Sequence, residues 1–156
     1  MNPSRSRFVE GTARTTWLWP EEAERLFHEA TKLDVEFGSV LVVLTYTGIR
    51  LGEALELQCR EVRLEEAFAY LPTPKNDEPR AVFLPPVVVE ALRSHPRGMD
   101  REEAVFRFAK TGHLYKLWRR AVKGAGIALP PRSAFHVLSH TWATWMRRYG
   151  GLILRG

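Results

Sequence analysis

The chain has 156 residues, 45% hydrophobic and 26% charged, with a formal charge of +5, the balance of one compact globular domain. Its apolar runs fall well short of the ~20 residues a membrane-crossing helix needs. The polar start Met1-Asn2-Pro3-Ser4-Arg5 lacks the hydrophobic segment of a secretory signal, and the lone Cys59 excludes a disulfide framework and a cysteine zinc site, in keeping with a reducing cytoplasm.

The charge is unevenly spread. Residues 1–100 carry 12 basic and 16 acidic side chains, and residues 101–156 carry 11 and 2, for nets of −4 and +9. A basic half points to a polyanion, most simply nucleic acid; the plain alternative is solubilised helix faces.

Residues 1–16 mix Ser, Arg, Thr and Gly without periodicity and read as a flexible basic arm, so the folded domain is expected over 17–156. Pro20 suits a helix's first turn, Glu21, Glu22 and Glu24 favour its positive end, and Ala23, Leu26, Phe27 and Ala30 make one apolar stripe. Val35 to Leu44 is almost wholly apolar and predicts a buried helix, stopped at Thr45-Tyr46-Thr47-Gly48, where glycine adopts a left-handed cap. A further helix starts near Arg50. From Glu61 to Leu84 the period shortens to two: Val62 and Leu64, Phe68 and Tyr70, Val82 and Leu84 predict a small three-stranded antiparallel sheet with a polar tip at Pro74-Lys75-Asn76-Asp77-Glu78-Pro79. Pro85-Pro86 opens another helix. Leu114, Leu117, Trp118 and Ala121 are the core stripe of a helix over about 113–123, and Ser133 is placed to cap a last helix reaching Tyr149. On this last helix His136, His140, Ala143 and Arg147 share one face, while Leu138, Trp142, Trp145 and Tyr149 face the core. The fold class is mainly α with one small sheet (α+β).

Three constellations carry candidate chemistry. In Thr47-Gly48-Ile49-Arg50-Leu51-Gly52-Glu53, an arginine opens a helix where free N–H groups favour an anion, its fork matches two phosphate oxygens, and Glu53 is placed to orient the guanidinium. The plain alternative is an exposed ion pair worth about 0.2–0.5 kcal/mol. Lys75 at the hairpin tip is a flexible cation able to give a proton to a leaving oxygen. The third is Phe135-His136-Val137-Leu138-Ser139-His140-Thr141. Two histidines four apart suit zinc, but Val137 stands where a metalloprotease needs Glu and no third ligand is evident, so no metal is expected. Gly-x-Ser-x-Gly does not occur, which argues against a serine hydrolase.

In their order, Leu44-Thr45-Tyr46-Thr47-Gly48-Ile49-Arg50-Leu51-Gly52-Glu53, Thr73-Pro74-Lys75-Asn76-Asp77-Glu78-Pro79-Arg80 and His136-Val137-Leu138-Ser139-His140-Thr141-Trp142-Ala143-Thr144 resemble the catalytic domain of tyrosine recombinases, the phage-integrase family. The resemblance covers about 17–151. It implies DNA breakage and rejoining without cofactor: a tyrosine hydroxyl attacks a phosphodiester, giving a 3′-phosphotyrosine and a free 5′-hydroxyl that later reverses the step. It also implies that Arg50 clamps the phosphate, Lys75 is the general acid, His136 contacts the phosphate or moves a proton, and Glu53 supports Arg50. Arg80, Arg132 and His140 are expected to face DNA with them.

The family's signature helix reads His-x-x-Arg, whereas here the arginine position is Ser139. The family's Gly-His motif and nucleophilic tyrosine lie further downstream, and Tyr149 is not assigned that role. The expectation is therefore a C-terminally incomplete catalytic domain that binds double-stranded DNA but does not cut it alone. It would be cytoplasmic, nucleoid-associated when DNA-bound, and monomeric without DNA. The alternatives are a non-catalytic DNA-binding module or decoy derived from an integrase, and a generic helical interaction domain.

Overall fold

The computed structural model describes residues 17–72 and 80–150. The basic arm expected over 1–16 and the hairpin tip with Lys75 lie outside the described residues.

Among the described residues six α-helices, α1 (Pro20–Leu33), α2 (Val35–Thr47), α3 (Leu51–Glu56), α4 (Pro86–Arg93), α5 (Gly112–Gly124) and α6 (His136–Tyr149), accompany a sheet of β1 (Val62–Arg63), β2 (Phe68–Leu71) and β3 (Arg80–Phe83). The sheet is antiparallel in the order β1-β2-β3. Phe68 pairs with Phe83 and Leu71 with Arg80, so the strands flanking the hairpin tip are in full register. Ala69 and Leu71 turn inward and are buried, as a period of two requires.

Helix α2 is the hub, packing against α1, α3, α4 and α6. It is apolar nearly all round, and Phe37, Val40, Leu41 and Leu44 are at most 1% exposed, the expected state of a helix without a polar face. Asp34 caps its start, a side-chain oxygen accepting from the Phe37 N–H at 3.0 Å. Gly48 ends it at φ 74°. Val35, its first residue, is exposed instead, and Glu36 beside it is buried.

The expected stripes of α1 and α5 are the observed ones: Ala23, Leu26, Phe27 and Ala30, and Leu114, Leu117, Trp118 and Ala121, are all buried. Helix α6 fastens the start of the domain. The Trp145 indole N–H donates to the Leu18 carbonyl at 2.8 Å, and the Leu18 N–H donates to Thr141 Oγ1 at 2.9 Å. Both backbone groups of a fully buried residue are thereby satisfied.

Two expectations on α6 are corrected. Ser133 is not its cap: the helix begins at His136 after Phe135, with no side-chain cap bond. The Ser133 N–H donates to the Pro130 carbonyl at 3.2 Å, closing a turn in which Arg132 takes the left-handed φ of 69°. Ser133 thus lies in the turn before the helix, two residues ahead of the Phe135 cap position. Trp142 does not belong to the core either. Leu138 and Trp145 are buried, but Trp142 is half-buried and Gly48 sits against its ring, within 2.6 Å of where a Cβ would stand.

Candidate phosphate-binding cleft

Arg50 stands in the short link between α2 and α3, exposed, its backbone extended at φ −81° and ψ 154°. Its N–H donates to Glu53 Oε1 at 2.9 Å. The glutamate's charge is used elsewhere: both Arg80 nitrogens meet it, Nη2 to Oε1 and Nη1 to Oε2, each at 3.2 Å. Glu53 therefore supports Arg50 through the backbone and pairs with the Arg80 guanidinium, which corrects the expected Arg50–Glu53 guanidinium pair. Burial alone would raise the Glu53 carboxyl. The Arg50 N–H bond, the Arg80 bond and the charges of both arginines instead hold it below the usual carboxylate range.

The consequence is geometric. Arg80 opens β3, directly after the hairpin tip, so its bidentate pair fastens the base of that hairpin to the first turn of α3 beside Arg50. The Arg50 guanidinium makes no ion pair with any described residue. Helix α3 has only six residues, so the permanent side-chain charge, rather than a helix dipole, must supply attraction for an anion.

Two adjoining clefts open on either side of Arg50. One, of about 450 Å³, runs between Tyr46, Gly48, Arg50, Glu53, β3 and Trp142. The other, of about 480 Å³, is lined by Arg50, Lys110, Tyr115, His136, Ser139 and His140, among others. Residues 50 and 136–140, remote in the chain, thus meet across one opening. His136 and His140 are exposed, their rings edge to face at 6.0 Å, and Ser139 is half-buried between them. All three lie on the first turns of α6, whose positive end favours a bound anion. Arg132 is exposed in the turn before α6 and is not among the lining residues of this cleft. Lys75 lies outside the described residues.

Tyr46, in the first cleft, packs edge-on against Trp145 at 5.5 Å. Burial, with the charge of Glu24, raises its phenol above the usual value. That disfavours the phenolate. Tyr149 is half-buried and packs on the core. Among the described residues no cluster of three or more His, Cys, Asp or Glu side chains could hold a metal, and no helix is long and apolar enough to cross a membrane.

Sequence reasoning missed three cleft residues. Lys110 and Tyr115 flank the start of α5 in a stretch without a motif, and their only local sign is a cation just before a helix. Trp142 looked like core because its helix position is compatible with the buried stripe.

The model of the phage integrase family matches residues 16–152. The tyrosine recombinase XerA of Saccharolobus solfataricus is 32% identical over 111 residues, 71% of this chain and 36% of the relative. The integrase of Escherichia phage 186 is 29% identical over 155 residues, 99% of this chain and 41% of that protein. The chain therefore spans about two fifths of the length of these curated relatives. Among solved structures, that of a XerA recombinase superposes with a TM-score of 0.70 at 29% identity, covering 88% of this chain and 55% of that one. The site-specific recombinase XerH, in a pre-cleavage complex with its difH substrate, shares the fold at a TM-score of 0.69 and 24% identity, covering 90% of this chain and 46% of that one. A family match over most of the chain, with the helical fold and small sheet of its catalytic domain, settles the relationship: the chain belongs to the phage integrase family of tyrosine recombinases.

Proposed function

We propose that this chain is the DNA-contacting catalytic domain of a site-specific recombinase, with double-stranded DNA as its partner and one phosphodiester as the group held in the Arg50 cleft. One observation carries the reading: Arg50, without an ion-pair partner among the described residues, shares an opening with His136, Ser139 and His140. A permanent planar cation facing a helix start with two imidazoles is an arrangement that binds a phosphate and stabilises charge growing on its oxygens. The +9 formal charge of residues 101–156 would draw the duplex in. Lys75, five residues before Arg80 in the chain, would deliver a proton to the leaving oxygen. Arg80 and Arg132 would face the flanking backbone. The difH substrate in the XerH complex and the recombinase relatives support the same partner. On this reading the chain works in the cytoplasm, on the nucleoid when DNA-bound, and its reaction needs no cofactor.

The salt dependence of binding tests this. The logarithm of affinity for a duplex should fall linearly with the logarithm of salt concentration, and Arg50→Ala should reduce the steepness by about 0.9 and the affinity about fivefold at ~0.15 M salt. A flat response in the unaltered chain would end the DNA reading.

Cleavage at this cleft is expected to be feeble. Ser139 offers a neutral hydroxyl where the family carries an arginine, and losing one such donor typically slows chemistry by about 10²–10³. Denaturing electrophoresis after incubation with a nicked duplex should show no covalent protein–DNA band. A covalent band would remove this part of the reading and leave DNA binding intact. The same serine favours, as a second reading, a module that binds DNA without cutting it.

A further inference from the structure

The transition state of phosphodiester transfer gathers negative charge on the non-bridging oxygens, and fixed cations aimed at those oxygens stabilise it most. In the cleft, Ser139 contributes a hydroxyl and His136 and His140 contribute imidazoles. Arg50 is a permanent cation there. The same lining contains a second strong cation, Lys110.

Lys110 is placed by a backbone fastened on both sides. Upstream, the Arg107 N–H donates to Glu36 Oε2 at 2.6 Å, and buried Phe108 meets the Phe37 ring edge-on at 6.1 Å. Downstream, the Thr111 N–H donates to the Ala109 carbonyl at 2.8 Å, and the Thr111 carbonyl accepts from the Tyr115 N–H at 3.3 Å in the first turn of α5. Tyr115 lines the cleft too and packs edge-on against Phe135 at 5.4 Å. The Lys110 side chain itself is exposed and has no ion pair with a described residue. A fixed backbone carrying a free ammonium at the edge of an anion cleft is a cation held ready for that anion.

We propose that Lys110 is a second phosphate-holding residue of this site, acting with Arg50 on the phosphate that lies over Ser139. It supplies from the start of α5 the positive charge that α6 lacks at Ser139. The proposal rests on the DNA reading above, and its test is chosen so that the two can fail separately.

Inorganic phosphate serves as the probe, titrated into the full chain at low salt while NMR follows the His136, His140 and Ser139 signals. In the unaltered chain these signals should shift with phosphate. Lys110→Ala should weaken that binding about tenfold, the loss of one charge-assisted contact. Lys110→Arg should retain it within about twofold, since the charge survives. Lys116→Ala, on the exposed face of α5 and outside the cleft lining, should leave it unchanged. The proposal is overturned if Lys110→Ala leaves the phosphate affinity intact, if Lys116→Ala costs as much as Lys110→Ala, or if phosphate fails to move the His136 signals at all. Duplex affinity measured on the same samples separates the two readings. A chain that binds duplex with a steep salt response and weakens about fivefold on Arg50→Ala, yet ignores Lys110→Ala in the phosphate titration, keeps its DNA reading and loses this one.

Discussion

Glu36→Gln should lower the stability of the domain by about 3 kcal/mol, the low end of the 3–5 kcal/mol expected when one member of a buried ion pair is removed. Glu36 is 3% exposed, and Arg97, His95 and both the backbone and the guanidinium of Arg107 converge on it. Arg97 Nε and Nη2 donate to its two oxygens at 3.1 and 3.0 Å, the Arg107 N–H donates at 2.6 Å, and His95 Nε2 lies 3.8 Å away. Asp34 takes the Arg107 guanidinium at the same corner. Glutamine keeps the volume but has a single acceptor oxygen and no charge. The cost stays at the low end because the Arg97 and Arg107 side chains are 38% and 46% exposed and can turn to water. Urea unfolding should show the midpoint falling at an unchanged slope.

The same corner sets an acid dependence. Burial alone would raise the Glu36 carboxyl, but the bonds from Arg97 and Arg107, with the charges of Arg97 and His95, hold it below its ordinary value of 4.5. Stability from this depressed carboxyl is complete above about 4.5 and is lost as pH falls through the folded value. Burial also pushes the His95 imidazole below 6.5, against the pull of the Val105 carbonyl and of Glu36. Unfolding therefore takes up a proton at His95 as pH drops below about 6.5, which lowers stability in the same direction. The gap between the unaltered chain and Glu36→Gln should narrow below pH 4.5. A gap constant from pH 7 to pH 3 would show that the carboxyl is not the paired, depressed group described. Because Arg107 lies three residues before Lys110, loosening this corner should also slacken the side of the cleft that Lys110 lines.

Gly48→Ala should cost about 2–5 kcal/mol and damage the cleft along with the fold. Its φ of 74° charges any side chain about 1–2 kcal/mol, and a Cβ there would stand 2.5 Å from Trp142 Cδ2. Overpacking of that kind adds about 1–3 kcal/mol. The relief open to the molecule is to push Trp142 outward or to tilt the Gly48–Arg50 link, and each displaces a cleft wall. Duplex binding should weaken together with stability. Adding Trp142→Ala should recover the steric part and leave the backbone part, so the two substitutions are strongly non-additive. Strict additivity in urea unfolding would show that glycine and indole do not compete for the same space.

Local pattern carried most of the helices. The α1 and α5 stripes were legible because burial at i, i+3 and i+4 is written within a dozen residues. The α2 terminus was legible because a left-handed cap is a single-residue property. The start of α6 differs for the converse reason: Ser133 is a good cap in isolation, but the chain turns at Pro130–Ser133 and the helix begins only at His136. Residues 94–111 had no readable period, yet Val105, Phe106 and Phe108 are core. Their order comes from the Val105 N–H to Leu57 carbonyl bond at 2.8 Å, the Cys59 N–H to Glu103 carbonyl bond at 3.0 Å and the Glu36 cluster, all contacts with distant chain.

By itself the sequence determined the helical class, the small sheet, the family and the identity of the chemical groups, because those depend on residue type and short spacing. Only the tertiary structure decided that Glu53 serves Arg80 rather than the Arg50 guanidinium, that Trp142 forms a cleft wall, and that Lys110 joins Arg50 and Ser139 at one opening. Each of these is a pairing between segments remote in the chain, α3 with β3, the α2–α3 link with α6, and the start of α5 with both, and no local spacing encodes which side chains packing brings face to face.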